Sequence, residues 1–191
     1  MRLKDKVAIV TGAGSGIGES IARKYADEGA HVVVNYHVGG KHAQDAQDMV
    51  ATLATESLAI GADVEKRDDM QSLIDQTVKK FGRIDIAVSN AGIEIQKPFV
   101  DVTDDEWNKV LDVNLRGAFL LSQLAARQMI KQKQGGKIIF VSSVHEDIPF
   151  VGYTAYCASK GATRMLISRP TGFASTPSRR ARSTRRSTRR R

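Results

Sequence analysis

Short β-rich runs alternate with longer helix-like stretches along this chain, and this alternation constrains the fold more than any other feature of the sequence. The strand candidates are residues 7–11, 31–36, 57–64, 84–92 and 136–143. Strands that alternate with helices pair in parallel and are covered by helices on both faces. The sequence therefore predicts an α/β fold, with a right-handed, doubly wound parallel sheet of the Rossmann type.

Several helix boundaries are also visible in the sequence. In residues 67–82 the apolar side chains recur at helical spacing, and Gly82 is expected to end that helix. Residues 103–132 have a helical pattern too. There Thr103 is the expected N-cap, and Glu106 completes a capping box. A further helix is expected to begin near Ala155.

A glycine-rich loop, TGAGSGIG, joins the first strand to the first helix. Gly12, Gly16 and Gly18 give it the spacing T-G-x-x-x-G-x-G, and Ile17 stands where the third glycine of G-x-G-x-x-G would fall. Glycines let a backbone approach phosphates closely, and the free N–H groups at a helix N-terminus attract negative charge. The loop therefore predicts a pyrophosphate site, although a purely structural turn would use the same glycines.

The residue at the end of the second strand bears on the choice of cofactor. An acidic residue there would bind the ribose hydroxyls of NAD, but the position is occupied by Asn35. Without a carboxylate, the 2′-phosphate of NADP meets no repulsion, so NADP is allowed and NAD is not excluded. His37 and Lys41 are either phosphate partners or solvated loop residues.

The net charge of +8 is unevenly distributed. Residues 168–191 contain nine arginines and no acidic residue, whereas residues 1–167 contain 20 basic and 21 acidic side chains. The single cysteine, Cys157, excludes an internal disulfide, and no apolar run approaches the ~20 residues that span a bilayer. No His/Cys/Asp cluster has zinc-ligand spacing. We therefore expect a cytoplasmic protein with no membrane partner and no metal.

The segment YTAYCASK contains two tyrosines and one lysine, and the spacing of each tyrosine from the lysine distinguishes the two tyrosines. On a helix, residues four apart are neighbours with Cβ atoms about 5–6 Å apart, so Tyr156 and Lys160 share a face. Tyr153 is seven residues from Lys160, which adds roughly 10 Å of axial rise. A free phenol is a poor base at neutral pH, but a nearby ammonium favours the phenolate. The spacing therefore indicates Tyr156 as the candidate acid/base.

These motifs occur in a characteristic order on one chain: TGxxxGxG, NAG at 90–92, Asn114, Ser142-Ser143 and Tyr156-x-x-x-Lys160. Together they resemble the short-chain dehydrogenase/reductase family over about residues 5–167. The segments VVVNY, NAGIE, EWNKVLDVNLRGAFL and SSVHEDIP look like those of its glucose 1-dehydrogenases. The resemblance implies a nicotinamide cofactor, NAD or NADP, and hydride transfer to or from a sugar or another secondary alcohol or carbonyl compound.

The resemblance also implies roles for individual residues. Tyr156 is the acid/base, Lys160 is its partner, and Asn114 supports a water that relays protons. Ser143 orients the substrate because it lies thirteen residues before Tyr156, whereas Ser142 is the alternative, and both hydroxyls have a purely structural reading at the end of a strand. The implied cofactor-binding residues are Thr11, Gly12, Ser15, Gly16, Ile17, Gly18, Asn35, Asp63, Val64, Asn90, Ala91, Gly92, Tyr156 and Lys160.

Other residues are expected to form the substrate pocket. Glu94 and His145 stand where glucose 1-dehydrogenase-like members have pocket residues, so they are candidate substrate contacts. Tyr153 is expected to form a wall of the pocket mouth. The family also implies a homo-oligomer whose partner surfaces include the helices around residues 105–133 and 155–170.

The sequence departs from the family pattern after about residue 167. Family members continue through a sixth strand, a Pro-Gly loop, a substrate lid and a seventh strand, whereas this chain continues as an arginine-rich tail. We interpret residues 1–167 as an incomplete oxidoreductase domain, and residues 168–191 as a disordered tail from out-of-frame translation or a replaced C-terminus. The fifth strand then lies at the edge of the sheet, which predicts low stability and aggregation.

These observations leave three interpretations of function. The first is an NAD(P)-dependent oxidoreductase in which cofactor binding outlasts catalysis, because the missing segments lie near the nicotinamide. The second is a dinucleotide-binding protein with little catalysis. The third is nucleic-acid association through the polybasic tail, whose charge alone would give weak, nonspecific binding.

Overall fold

One five-stranded parallel sheet organises residues 1–166, the part of the chain that the computed structural model describes. Its strands follow the spatial order β3-β2-β1-β4-β5, and each neighbouring pair is parallel. The order reverses at β1, the point where such sheets bind ligands. The predicted doubly wound fold is therefore confirmed. The strands are β1 (Val7–Val10), β2 (His31–Tyr36), β3 (Leu58–Gly61), β4 (Ile86–Ser89) and β5 (Lys137–Phe140).

The described helices end close to the predicted positions. Gly82 adopts the left-handed conformation, with φ of 76°, at the end of α3. At the start of α4 the Thr103 hydroxyl accepts from the Glu106 N–H and the Glu106 carboxylate accepts from the Thr103 N–H, so the predicted capping box is confirmed. The helices are α1 (Gly16–Asp27), α2 (Ala43–Thr52), α3 (Arg67–Phe81), α4 (Asp104–Leu111), α5 (Gly117–Lys131) and α6 (Thr154–Leu166).

The helical stretch predicted over residues 103–132 contains a π-helical turn, Asp112–Arg116, between α4 and α5. The flanking residues keep right-handed helical dihedrals, so the helix path continues through the turn. The turn buries Asn114, whose side chain bonds to Ser159 of α6. Single π-helical turns are frequent at functional sites, which draws attention to this residue.

Two apolar cores lie on the two faces of the sheet. Alternate residues of β1 point in opposite directions, so Val10 packs towards α1 and α2, whereas Ile9 packs towards α3 and α5. Full burial of an aliphatic side chain stabilises a fold by roughly 1.5–3 kcal/mol. Because both faces are covered, the carboxyl ends of the strands provide the open rim where a ligand can approach.

The strand β5 forms one edge of the described sheet. It pairs with β4 on one side, and its side chains alternate between exposed and half-buried, while every residue of β4 is buried. Ile139 is 39% exposed. The predicted edge position of the fifth strand is therefore confirmed for residues 1–166.

The predicted arginine-rich tail, residues 168–191, lies outside the described residues, and the boundary near residue 167 stays a prediction. Within residues 1–166, no helix combines the length and the apolar character needed to cross a membrane.

Candidate functional site

A cavity of about 590 Å³ opens at the carboxyl ends of β1 to β4. Its volume is typical of sites that bind small molecules and cofactors. The glycine loop forms one side, and the segments that follow β2, β3 and β4 form the others. Its lining includes the predicted residues Gly12, Ser15, Gly16, Ile17, Asn35, Val64, Asn90, Ala91 and Gly92, together with Gly14, Tyr36, His37, Gly40, His42, Ala62, Glu65, Ile93, Lys109 and Val113.

The glycine loop forms a cradle that side chains would fill. Gly12 and Gly16 have positive φ values of 61° and 59°, which residues with a Cβ rarely adopt. A Cβ atom at Gly18 would overlap the Gly12 carbonyl oxygen and lie 2.5 Å from Nδ2 of Asn90. The loop thus brings its backbone to the N-terminus of α1, where N–H groups can receive a phosphate. This arrangement fits a dinucleotide.

Two asparagines and a threonine hold this loop from below. Asn35 is buried, and its Oδ1 accepts a hydrogen bond from the Gly12 N–H at 3.3 Å while its Nδ2 donates to the Ala62 carbonyl at 2.9 Å. Asn90 donates through Nδ2 to the carbonyl oxygens of Thr11 and Gly12 at 3.0 and 3.1 Å. The Thr11 hydroxyl accepts from the Asn90 N–H at 3.1 Å. The three polar side chains therefore fix the backbone that a phosphate would meet.

Asp63 stands between two cavity residues, Ala62 and Val64, and is not itself among the residues that line the cavity within residues 1–166. It accepts hydrogen bonds from the Val38 N–H at 3.1 Å and from the Lys66 amine at 2.7 Å, and His37 Nδ1 lies 2.6 Å away. Burial opposes ionisation of this group, but the Lys66 and Val38 hydrogen bonds outweigh it, so the pKa of Asp63 lies below its usual value. Its negative charge is consequently matched by neighbouring donors.

The structure brings Tyr156 rather than Tyr153 next to Lys160. Lys160 Nζ lies 5.6 Å from the centre of the Tyr156 ring and donates a hydrogen bond of 2.9 Å to the carbonyl oxygen of Val141, just after β5. Tyr153 instead stacks on Phe150, with the ring centres 5.2 Å apart. Burial lowers the pKa of the Lys160 amine.

The two serines after β5 have different hydrogen bonds. The Ser142 hydroxyl donates to the carboxylate of Glu146, so its proton is already used. The Ser143 hydroxyl accepts a hydrogen bond of 3.2 Å from the His145 N–H, which leaves its own proton for another acceptor. A substrate oxygen is such an acceptor, so the geometry favours Ser143 over Ser142 as the orienting hydroxyl.

Asn114 links the cavity to the helix that carries Tyr156. Its Oδ1 accepts from the Ile93 N–H at 2.8 Å, and its Nδ2 donates to the Ile93 carbonyl at 2.9 Å and to the Ser159 hydroxyl at 3.0 Å. Both amide hydrogens are thus used within the protein, and the side chain joins the segment after β4 to α6. The predicted support of a relay water by Asn114 stays a prediction. Sequence reasoning missed Ser159, although its position three residues after Tyr156 puts it on the same side of α6.

The predicted substrate contacts lie at different places around Tyr156. The His145 ring stacks on Phe150 with centres 5.0 Å apart and meets the Tyr156 ring edge-on at 6.3 Å. Its Nδ1 lies 3.0 Å from the carbonyl oxygen of Ile148, an acceptor, so Nδ1 carries a proton. Glu94 is exposed on the segment after β4.

Residues 6–170 match the sequence model of the short chain dehydrogenase family. The chain belongs to this family. Two curated relatives are an uncharacterized oxidoreductase of Escherichia coli, YohF, and 3beta-hydroxysteroid dehydrogenase 1 of Eggerthella lenta. Each is 38% identical to this chain, over 157 and 164 residues respectively, which is 82% and 86% of the chain.

The fold of this chain also matches that of a solved structure from the same family. A short-chain type dehydrogenase/reductase from Mycobacterium marinum superimposes with a TM-score of 0.80 and 36% sequence identity, over 86% of this chain and 65% of that one. This chain spans 62% and 63% of the lengths of the two curated relatives.

Proposed function

We propose that the chain binds a nicotinamide dinucleotide and transfers hydride between it and a secondary alcohol or carbonyl compound. The observation that carries the proposal is the amine of Lys160, 5.6 Å from the centre of the Tyr156 ring. Both residues lie on a helix that Asn114 bonds to the cavity. A phenol beside an amine is suited to proton exchange with a carbinol oxygen. When bound, the nicotinamide supplies the hydride donor or acceptor.

The protons are handled by three side chains. Tyr156 removes the hydroxyl proton of an alcohol, or returns a proton to the oxygen of a carbonyl compound. Ser143 donates a hydrogen bond to the same oxygen and holds it beside the phenol. Lys160, as the ammonium, presents its positive charge to the Tyr156 ring. Because burial lowers the pKa of its amine, Lys160 gives up a proton more readily than an exposed lysine does.

The cavity residues would hold the cofactor. The glycine loop and the N-terminus of α1 suit the pyrophosphate, while the segments after β3 and β4 suit the adenine and the nicotinamide ribose. Thr11 and Asn35 fix the loop itself. The residues we assign to the cofactor are Gly12, Ser15, Gly16, Ile17 and Gly18 for the pyrophosphate, Asp63 and Val64 for the adenine, and Asn90, Ala91 and Gly92 for the ribose and nicotinamide.

We propose that NAD and NADP are both accepted. Asp63 is already matched by donors, and His37 and His42 line the cavity near the end of β2, where a 2′-phosphate would lie. Lys41, the other candidate, is not among the residues that line this cavity in residues 1–166. Replacing His37 and His42 together with alanine should weaken NADPH binding and leave NADH binding unchanged. Equal losses for both cofactors would contradict the proposal.

We propose a sugar, or another polar secondary alcohol, as the substrate, as in glucose 1-dehydrogenases. The His145 ring lies edge-on to the Tyr156 ring, and its neutral form would offer Nε2 as an acceptor. The exposed carboxylate of Glu94 is a further acceptor on the segment after β4. Acceptors of this kind suit hydroxyl groups next to the reacting carbon. The hydroxysteroid activity in the name of one relative makes an apolar ring alcohol the class to test alongside sugars.

The proposed activity is tested by measuring NADH and NADPH formation across sugars and other secondary alcohols. Replacing Tyr156 with phenylalanine should lower kcat by about 10²–10⁴-fold, the usual contribution of a general acid/base. Cofactor binding, followed by NADH fluorescence, should persist. The matched control is Tyr153→Phe, which removes a nearby hydroxyl that is stacked away from Lys160 and should have little effect. Undiminished turnover in the Tyr156 variant would refute the proposal.

A second candidate is dinucleotide binding with little catalysis. It is favoured by the cavity, whose lining residues in the described chain do not include Ser143, Tyr156 or Lys160. The same titration and assay separate the two candidates, since binding of NADH without turnover of any alcohol would support the second.

A third candidate rests on the nine arginines and no acidic residue of residues 168–191. We propose that this segment associates weakly with nucleic acid, and that residues 1–167 form the cofactor-binding domain. DNA binding should fall steeply as salt rises, because condensed counterions are released. Deleting residues 168–191 should abolish DNA binding and preserve NADH binding, whereas salt-independent binding would exclude a simple charge mechanism.

A further inference from the structure

Ser159 occupies a junction between the cavity and the helix of the Tyr156–Lys160 pair. Its side chain is fully buried. The hydroxyl accepts a hydrogen bond of 3.0 Å from Asn114 Nδ2 and donates one of 2.7 Å to the carbonyl oxygen of Tyr156. The Ser159 hydroxyl therefore donates its one hydrogen and accepts one hydrogen bond within the protein.

Ser159 completes a continuous chain of hydrogen bonds across three elements. Ile93, which lines the cavity, bonds to Asn114 through both its N–H and its carbonyl group. Asn114 bonds to Ser159, and Ser159 bonds to the backbone of Tyr156. The segment after β4, the π-helical turn and the first turn of α6 are therefore held in one register.

We propose that Ser159 is a positioning residue, which fixes the Tyr156–Lys160 pair relative to the cavity wall at Ile93. The inference rests on the proposed function of that pair. Serines inside helices commonly donate to a carbonyl of the preceding turn, an interaction that is purely local. Here the same hydroxyl also accepts a hydrogen bond from the Asn114 side chain, so the orientation of α6 depends on a residue from the π-helical turn.

Loss of the hydroxyl would affect both ends of the chain of hydrogen bonds. One amide hydrogen of Asn114 would remain buried without an acceptor, and the side chain or α6 would have to move to satisfy it. A displacement of about 1 Å at a reacting group can lower the rate about 10²-fold. We therefore expect catalysis to suffer more than the binding of either ligand.

Thr163 provides a matched control on the same helix. It is also a buried hydroxyl residue, and its Oγ1 donates to the Ser159 carbonyl oxygen at 2.8 Å. Its bond stays within α6 and does not reach the π-helical turn. Thr163→Val removes a buried hydroxyl of nearly the same shape, so it reports the cost of losing a local bond alone.

The test compares the full-length wild-type chain with Ser159→Ala and Thr163→Val. Turnover is measured with NAD⁺ and the alcohol that wild type oxidises fastest, and NADH affinity by fluorescence. We expect Ser159→Ala to lower kcat by about tenfold or more, with KM and NADH affinity changed by no more than about twofold. Thr163→Val should keep kcat within about twofold of wild type. Equal kcat losses in the two variants would overturn the proposal.

Amide hydrogen exchange provides a second readout that needs no turnover. The Ile93 N–H donates to Asn114, so it should exchange faster in Ser159→Ala and at the wild-type rate in Thr163→Val. If wild type binds NADH without oxidising any alcohol, the proposed function fails, and the exchange rate of the Ile93 N–H still tests the positioning role of Ser159. Unchanged protection of the Ile93 N–H in Ser159→Ala would overturn that positioning role.

A conservative variant covers the case in which the alanine variant does not fold. Ser159→Cys has a similar shape and a weaker hydrogen-bonding group, so it should show the same changes at reduced size. Wild-type kcat and wild-type Ile93 protection in a folded Ser159→Cys variant would count against the proposal, because they would show that weakening these hydrogen bonds has no effect.

Discussion

The buried amine of Lys160 makes stability depend on pH in a defined direction. In the folded protein, burial lowers the pKa of this amine below its ordinary value of 10.5. Between the lowered value and 10.5, the unfolded chain therefore binds more protons than the folded one, and the free energy of unfolding rises with pH across this window. At lower pH the folded state must keep the buried amine charged, which is unfavourable.

Lys160→Met tests this dependence. The variant lacks the titrating amine, so the unfolding free energy of wild type minus that of the variant should increase as pH rises towards 10.5. Urea denaturation of both proteins at several pH values measures the difference. A difference that decreases with pH would mean that the amine is stabilised as a cation, contrary to the effect of burial.

A methyl group at Gly18 should disrupt the cradle for the phosphates. The Cβ atom of Gly18→Ala would meet the Gly12 carbonyl oxygen and the Asn90 amide, neither of which can move without shifting the loop. Overpacking of this kind costs about 1–3 kcal/mol, and we expect NADH binding to be lost.

The control for this prediction is Gly82→Ala. Gly82 also has a positive φ, of 76°, but a Cβ there would meet nothing within 4 Å, and the residue ends α3 away from the cavity. Its strain of roughly 1–2 kcal/mol should lower stability and leave NADH affinity unchanged. Fluorescence titration with NADH separates the two variants, and comparable affinity in both would contradict the prediction.

At the scale of elements, α4 depends on the capping box at its start. Thr103→Ala should lower the free energy of unfolding by about 0.5–2 kcal/mol, the usual cost of losing an N-cap hydroxyl. Thr103→Ser, which keeps the hydroxyl, should lose much less. Chemical denaturation of the three proteins checks this order, and equal losses in both variants would show that the methyl group rather than the hydrogen bond is important.

The Glu106 carboxylate of this capping box makes the stability of the protein depend on pH. The hydrogen bond from the Thr103 N–H, followed by that from Lys97, lowers the pKa of Glu106 from 4.5 to about 2. The stability that these contacts give is present above pH 4.5 and is lost as pH falls towards 2. Glu106→Gln should therefore be less stable than wild type at neutral pH, with a difference that narrows below 4.5. A constant difference would contradict this assignment.

The elements that were predicted well are those whose signal is local. β2 matches residues 31–36 because a run of apolar residues has clear polar ends, and the Thr103 cap follows from residues three apart. The π-helical turn at Asp112–Arg116 has no comparable signal, because its residues continue the apolar spacing of a helix. Asn114 could be selected from the family motif, yet its partners Ile93 and Ser159 depend on tertiary packing.

The glycine loop and the Tyr156–Lys160 spacing likewise follow from local sequence, so most of the candidate site could be outlined in advance. The orientation of polar side chains could not. Asn35 and Asn90 line the cavity, yet their side-chain amides also bond to Gly12 beneath the loop, which the sequence did not indicate. Which way a side chain turns at the end of a strand depends on the neighbouring strand, and no pattern along the chain encodes it.

For the whole molecule, we expect the edge that β5 forms in the described sheet to promote association at high concentration. Unpaired backbone groups on an edge strand can pair with another chain, and charged side chains on the edge oppose this. Ile139→Lys should therefore reduce light scattering by concentrated protein and preserve NADH binding. Ile130→Lys is the control, since Ile130 is more exposed, at 65%, but lies on α5. An equal reduction in both variants would attribute association to apolar surface in general.

The Lys160 amine donates a hydrogen bond to the carbonyl oxygen of Val141, the residue that follows β5. Any neighbour that docks along β5 and shifts its end would carry the amine with it and misalign the phenol. Specific activity should consequently fall on concentrating the sample and recover on dilution, well before a precipitate becomes visible. An assay run only at high protein concentration would then underestimate the specific activity of the isolated chain.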